Sequence, residues 1–212
     1  MKEREHDYIN LIENFDNTDS WIDDNSDVEK VLYQGFGDSF REIIVEDSHT
    51  VKHINDISAI DVAAYILTKL GSMSTIKLQK LVYYSQAWSL VWDEAPLFKD
   101  RIEAWASGPV VPKLFFLHKG LYTVNYSQLP YGNPDKLSAV NKETIDIVLQ
   151  HYGNRSSQWL VELSHLEDPW KNARIGLSTG ENSNREIKLD AIALYYSSLN
   201  DEQRQENTEP IF

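Results

Sequence analysis

The chain has 212 residues, a net charge of −13 and no cysteine, which excludes disulfides, thiol nucleophiles and cysteine-ligated metals. Residues 1–56 carry 15 acidic and 5 basic side chains, whereas residues 57–212 carry 18 and 15, so the acidity is concentrated in the first quarter. Binding to nucleic acid needs clustered Lys and Arg, and spanning a membrane needs a long apolar run. The sequence has neither, nor a signal peptide, so we expect a cytoplasmic protein without direct nucleic-acid or membrane contact.

Residues 1–56 are predicted to form an acidic accessory segment. The spacing of their apolar residues favours two short amphipathic helices, separated by the polar run NTDSWIDDNSD. The GFG string at 35–37 lacks the third glycine and the preceding strand of a dinucleotide-binding loop, and such a pair of glycines more often forms a turn.

Residues 57–200 are predicted to form a compact, mainly α-helical domain, followed by a disordered tail at 201–212. Ser58 and Asp61 form a capping box that begins the first helix, and Gly71 ends it. At most one short strand or hairpin is predicted, near 98–106. The other helices are predicted at 75–92, 112–120, 141–152, 157–165 and 189–199, with a helical turn at Pro169.

The helix at 75–92, TIKLQKLVYYSQAWSLVW, is apolar over most of its circumference, which predicts a central, buried helix. Lys77 and Lys80 fall among its apolar residues. A buried lysine must pair with an acid or lose its proton. Lys80 is therefore either a catalytic lysine of lowered pKa or a structural lysine paired with an acid such as Glu103 or Glu162.

Two strings resemble reactive motifs but lack the required context. GLSTG at 176–180 matches a nucleophile elbow, yet the polar ENSNRE that follows it does not predict the helix that this motif needs. His165, Glu167 and Asp168 lie close together, but no second histidine stands at metal-binding spacing. We therefore expect no catalytic residue, no metal site and no cofactor.

EAWASGPVVP, residues 103–112, is the least ordinary segment of the chain. Glycine before proline, with a second proline three residues later, predicts a rigid and sharply turned connection between a strand and a helix. Its role is either architectural or that of a rigid lip that grips a partner.

Three segments occur together in this order: LQKLVYY at 78–84, EAWASGPVVP at 103–112 and LSHLEDPWKNAR at 163–174. They closely resemble the Panacea domain, the family of phage-associated antitoxins described as GepA-like or SocA-like. Ser164 stands where we would expect a threonine. The resemblance spans about residues 57–200 and implies structural roles for its motif positions, which are Leu78, Lys80, Leu81, Tyr84, Trp105, Gly108, Pro109, Val110, His165, Pro169 and Trp170.

The resemblance also implies a function. Members of this family are antitoxins on a helical scaffold without accepted catalytic residues, and some are paired with toxins of the small alarmone synthetase type. Their variable extra segments are thought to select the toxin. We therefore expect a phage-defence antitoxin that binds its toxin directly, with a higher-order toxin–antitoxin complex as one possible form.

The charge distribution suggests where the toxin binds. Toxins that act on nucleotides or RNA need basic surfaces, which an acidic segment bearing aromatic side chains could mask. The alternative is that these aromatics only pack the segment onto the helical domain. The candidate contact residues are Tyr8, Phe15, Trp21, Asp23, Asp24, Glu29, Tyr33, Phe36, Asp38 and Phe40.

Two other functions stay open at this point. The chain could be an adaptor that delivers a toxin to a protease. It could also be a hydrolase that uses Lys80, His165 and Glu167, although no constellation in the sequence specifies one.

Overall fold

The computed structural model describes residues 57–129 and 131–206. Within these ranges there are seven α-helices, six of which surround the seventh, and two very short antiparallel sheets join their ends. This confirms the predicted mainly α-helical fold. The helices are α1 (Ala59–Leu70), α2 (Thr75–Trp92), α3 (Pro112–His118), α4 (Ala139–Tyr152), α5 (Ser157–Leu166), α6 (Asp168–Ala173) and α7 (Leu189–Glu206). The strands are β1 (Met73–Ser74), β2 (Glu103–Trp105), β3 (Gly108–Val110) and β4 (Thr123–Val124).

Local capping fixes where the first two helices begin. The backbone N–H of Ser58 donates to the carboxylate of Asp61 at 2.9 Å, as the predicted capping box requires. Gly71, with φ of 75°, ends α1 in a conformation that other residues resist. Ser74 then begins α2, and its hydroxyl accepts from the backbone N–H of Lys77 at 3.2 Å.

Helix α2 is buried on nearly every side, as its sequence predicts. Two glutamines of α2 are buried as well, and each bonds to the backbone of a neighbouring segment. Gln79 accepts from the N–H of Val111 at 2.9 Å, and Gln86 accepts from the N–H of Phe98 at 3.0 Å. These bonds attach the chain between α2 and α3 to the central helix.

The structure has two short sheets, whereas the sequence predicts at most one short strand or hairpin. Strand β2 pairs with β3, with Trp105 opposite Gly108, and this is the connection predicted at 103–112. Strand β1 pairs with β4, with Met73 opposite Val124. Strands of two residues are too short to show a periodicity, which is why the second sheet was not predicted.

The C-terminal part packs against the central helix. Glu167 is the single residue between α5 and α6. Helix α7 reaches Glu206, so it continues into the range predicted as a tail. No helix in the described ranges is long and apolar enough to cross a membrane. The ten candidate toxin-contact residues of the first 56 positions lie outside the described residues, so their role stays a prediction.

Candidate functional site

The three motif segments meet around the side chain of Lys80. This lysine exposes only 1% of its surface. Its Nζ donates to the carbonyl of Pro109 on β3 at 2.9 Å. Burial lowers the pKa of Lys80 to about 7, and the nearby carboxyl group of Glu167 opposes that shift. We call Lys80, Tyr83, Tyr84, Glu167 and Tyr196 the polar centre.

Gly108 allows the lysine to reach this position. Its φ is 96°, a region that side-chain-bearing residues rarely adopt. A Cβ at this position would lie 2.6 Å from Nζ of Lys80 and 2.6 Å from Oγ of Ser164. Only glycine therefore fits where strand β3 meets α2 and α5. This close contact explains the glycine in the ASGP segment.

Glu167 brings a carboxyl group into the same interior. It exposes 3% of its surface, and burial raises its pKa to about 8. Tyr196, Tyr84 and Tyr83 lie close enough to oppose that shift, as does Lys80. Burial also raises the pKa of each of the three tyrosines well above its usual value, so all three hydroxyls are protonated at neutral pH.

The acid near the lysine differs from the two considered in the sequence. Glu103 instead pairs with Arg101, with Oε1 at 3.3 Å from Nε, and Glu162 accepts from Gln158 at 2.7 Å. The partnering of Lys80 with either of these acids is therefore wrong. Glu167 follows the end of a helix, and only the turn between α5 and α6 directs it inward.

His165 borders the polar centre. Its ring stacks on Trp170, with centroids 4.1 Å apart. Burial, followed by the positive charges of Lys80 and Arg174, lowers the pKa of His165 to about 4, although a hydrogen bond with the backbone of Ala106 opposes this. The imidazole is therefore neutral at physiological pH.

Trp170 and Arg174 attach the end of α6 to β2. The indole Nε1 of Trp170 donates to the carbonyl of Trp105 at 2.9 Å, and Nη1 of Arg174 donates to that of Ala104 at 2.8 Å. Arg174 also donates to the carbonyl of Glu181 at 2.7 Å, so the GLSTG segment is a loop folded over a guanidinium. This agrees with the rejection of that string as a nucleophile elbow.

The polar centre contains polar atoms that are buried but incompletely hydrogen bonded. Among the described side chains, five buried polar atoms have no partner with hydrogen-bond geometry, and all five lie here or beside it. Tyrosine hydroxyls near Glu167 affect its pKa without reaching that geometry. Such atoms are uncommon in a native interior and call for a reason. They are the hydroxyls of Tyr83, Tyr84 and Tyr196, Oε2 of Glu167 and Nε2 of His165.

Comparison with known protein families gave a match that includes four of the five residues of the polar centre. Residues 78–171 match the sequence model described as "Antitoxin SocA-like, Panacea domain". The matched part of the chain is therefore similar to a Panacea domain. Comparison with curated proteins and with solved structures gave no match. The match begins within α2 and ends in α6, so it includes the first two motif segments and residues 163–171 of the third.

The structure brings five of the eleven motif residues together. Lys80, Tyr84, Gly108 and Pro109 are in or against the polar centre, and His165 borders it. The others are buried in the domain or hydrogen bonded to one another. They are Leu78, Leu81, Trp105, Val110, Pro169 and Trp170.

Sequence reasoning did not identify Tyr83, Ser164, Arg174 or Tyr196 as parts of this site. Tyr196 stands in α7, beyond the matched region, and its helical spacing resembles that of any core tyrosine. Its adjacency to Glu167 depends on tertiary packing that no local pattern encodes. No three acidic or histidine side chains in the described ranges are arranged to hold a metal ion.

Proposed function

We propose that this chain is the antitoxin of a toxin–antitoxin pair and that it neutralises its toxin by direct binding through residues 1–56. The similarity to a Panacea domain carries the antitoxin assignment, because the matching family is one of SocA-like antitoxins. The toxin we envisage has a basic surface that binds nucleotides or RNA, and a small alarmone synthetase is one such toxin.

The distribution of charge supports this mode of binding. Residues 1–56 carry a net charge of −10, against −3 for the other 156 residues. Complementary charge accelerates association and favours the correct partner, and aromatic side chains supply most of the binding energy in many interfaces. The segment provides both, with Trp21 beside Asp23 and Asp24 as its densest combination.

The geometry of the helical domain favours binding over hydrolysis. Lys80, His165 and Glu167, the residues of the hydrolase alternative, do lie close together. However, Lys80 and Glu167 expose only 1% and 3% of their surfaces, so a substrate cannot reach them in the packed domain. Single substitutions of the three residues separate these functions, because neutralisation by a binding protein survives any substitution that leaves the fold intact.

Deletion of residues 1–56 tests the proposed binding segment. The toxin would be the product of the neighbouring open reading frame, expressed in cells with either the full chain or residues 57–212. We expect the truncated chain to lose rescue while its circular dichroism shows a folded helical domain. Full rescue by a folded truncation would overturn the proposal.

Toxin abundance distinguishes blocking from delivery to a protease. If the chain blocks the toxin, toxin levels stay constant or rise when the chain is co-expressed. A fall in toxin levels that depends on a cellular protease would instead favour the adaptor function.

A further inference from the structure

Helix α7 covers the polar centre from outside the region matched to the family. Its inward residues Ile192 and Tyr196 expose 0% and 1% of their surfaces. The ring of Tyr196 lies 5.3 Å from that of Trp88 and 6.3 Å from that of Tyr83, measured between centroids. The opposite side of the helix is open, since Leu194 is 77% exposed. Removing α7 would therefore uncover an aromatic face of α2 and the carboxyl group of Glu167.

The chain immediately before α7 is attached to a different element. The backbone N–H of Ala104 donates to the carbonyl of Arg185 at 2.8 Å, and that of Ile187 donates to the carbonyl of Ile102 at 2.9 Å. These bonds fix the chain against β2 up to Ile187. Lys188 alone then separates the fixed segment from α7. A change of backbone angles at this point would move α7 relative to β2.

Two opposing effects act on the docked helix. Its aromatic contacts favour docking, because burial of large apolar groups is favourable. Docking also buries the hydroxyl of Tyr196 beside those of Tyr83 and Tyr84 and beside Oε2 of Glu167. The hydroxyls interact with Glu167, but none of the four atoms makes a bond of good hydrogen-bond geometry among the described residues. Water would supply these partners if α7 moved away. The polar centre therefore opposes the closure that the aromatic rings stabilise.

We propose that α7 is a releasable cover, hinged at Lys188, which detaches from α2 as a unit and exposes the polar centre while the other helices stay folded. The open state is the form in which the carboxyl group of Glu167 can meet another molecule. Opening is a property of the isolated chain, so it does not depend on the proposed binding of a toxin.

Thiol labelling of the full-length chain tests this opening, and the absence of native cysteine makes the readout specific. Ile192→Cys places a thiol on the buried side of α7. Val148→Cys places one on α4 at a residue that is equally buried, with 0% exposure, and Leu194→Cys gives the rate for an exposed thiol. We expect Ile192→Cys to react at least about tenfold faster than Val148→Cys under native conditions. Equal rates would overturn the proposal, since both sites would then open only by global unfolding.

A second substitution tests the part played by the unpartnered hydroxyl. Tyr196→Phe removes it and keeps the ring. We expect this change to slow the labelling of Ile192→Cys about tenfold, because it removes a buried polar group that disfavours the closed state. Faster labelling would show that the hydroxyl holds α7 down and would overturn the proposal.

Hydrogen exchange of the unsubstituted chain is the control for any effect of the cysteine substitutions on folding. Amides of α7 are expected to exchange faster than those of α4 and α2, and together as one group. Equal protection of α7 and α2 would contradict a releasable cover.

Discussion

Two sets of polar side chains are buried on helix α2, and they differ in how completely they are hydrogen bonded. Gln79 and Gln86 each accept one backbone N–H and donate to a carbonyl of the same residue, Val111 for one and Phe98 for the other. Lys80 has one such bond, to Pro109, and the tyrosines that follow it have unpartnered hydroxyls.

The difference separates two uses of buried polarity. The glutamines satisfy backbone groups that the irregular chain between α2 and α3 would otherwise leave unpaired, and this fixes that chain in place. The polar centre gains no comparable network, although it contains two of the motif positions, Lys80 and Tyr84. A fully bonded site stabilises one arrangement, whereas an incompletely bonded site leaves a second arrangement within reach.

The largest effect is expected for Gly108→Ala, which forces strand β3 away from α2 and α5. The new Cβ meets Nζ of Lys80, held by Pro109, and Oγ of Ser164, while φ of 96° adds backbone strain. We expect the free energy of unfolding in urea to fall by about 3 kcal/mol. Gly176→Ala is the matched control, because its φ is 84° but nothing lies within 4 Å, so about 1 kcal/mol is expected. Equal losses would show that the close contact at Gly108 is unimportant.

Gln79→Leu breaks the fully bonded region. It leaves the N–H and carbonyl of Val111 buried without their side-chain partner and removes the bond to His118. We expect a loss of about 2 kcal/mol in the free energy of unfolding. Gln158→Leu, at an exposed glutamine, should change stability by less than about 0.5 kcal/mol. A Gln79→Leu variant as stable as the unsubstituted chain would show that the hydrogen bonds of Gln79 do not stabilise the fold.

The polar centre should give stability a distinctive dependence on pH. The pKa of Glu167 is about 8 when folded against 4.5 in the ordinary carboxyl group, so the folded chain holds a proton that the unfolded chain releases. This contribution to stability is complete below pH 4.5 and is lost as the pH rises through 8. Lys80 acts in the opposite sense, but mainly above its folded pKa of about 7.

Glu167→Gln isolates that contribution. Gln has the shape of the protonated carboxyl group and does not titrate. Between pH 5 and pH 7, we expect the stability of the variant relative to the unsubstituted chain to rise by about 1 kcal/mol per pH unit, measured by urea unfolding. A flat difference for Glu167→Gln would mean that its carboxyl group is solvated.

The sequence predicted those features that depend on neighbours in the chain. Ser58 with Asp61 began the first helix where the structure has it, because capping joins residues three apart. The all-round apolar character of α2 predicted its burial.

The features that depend on tertiary packing were not predicted. The acid near Lys80 is 87 positions away, at a junction whose inward direction follows from how α5 and α6 dock. Tyr196 reaches the same interior from α7, and nothing in its local pattern distinguishes it from other core tyrosines.

The proposed function places the toxin contact in residues 1–56, and toxin affinity tests this claim most directly. A variant with Asp23→Asn, Asp24→Asn and Glu29→Gln removes three negative charges from that segment. A control with Glu94→Gln, Asp135→Asn and Glu143→Gln removes three from exposed positions of the helical domain, so both variants have the same net charge. Binding to the purified toxin would be measured for both by calorimetry.

We predict that the first variant loses at least about tenfold in affinity, mostly through slower association at low salt, while the control binds within about twofold of the unsubstituted chain. Equal affinities for the two variants would contradict the account, since the acidic segment would then contribute only net charge.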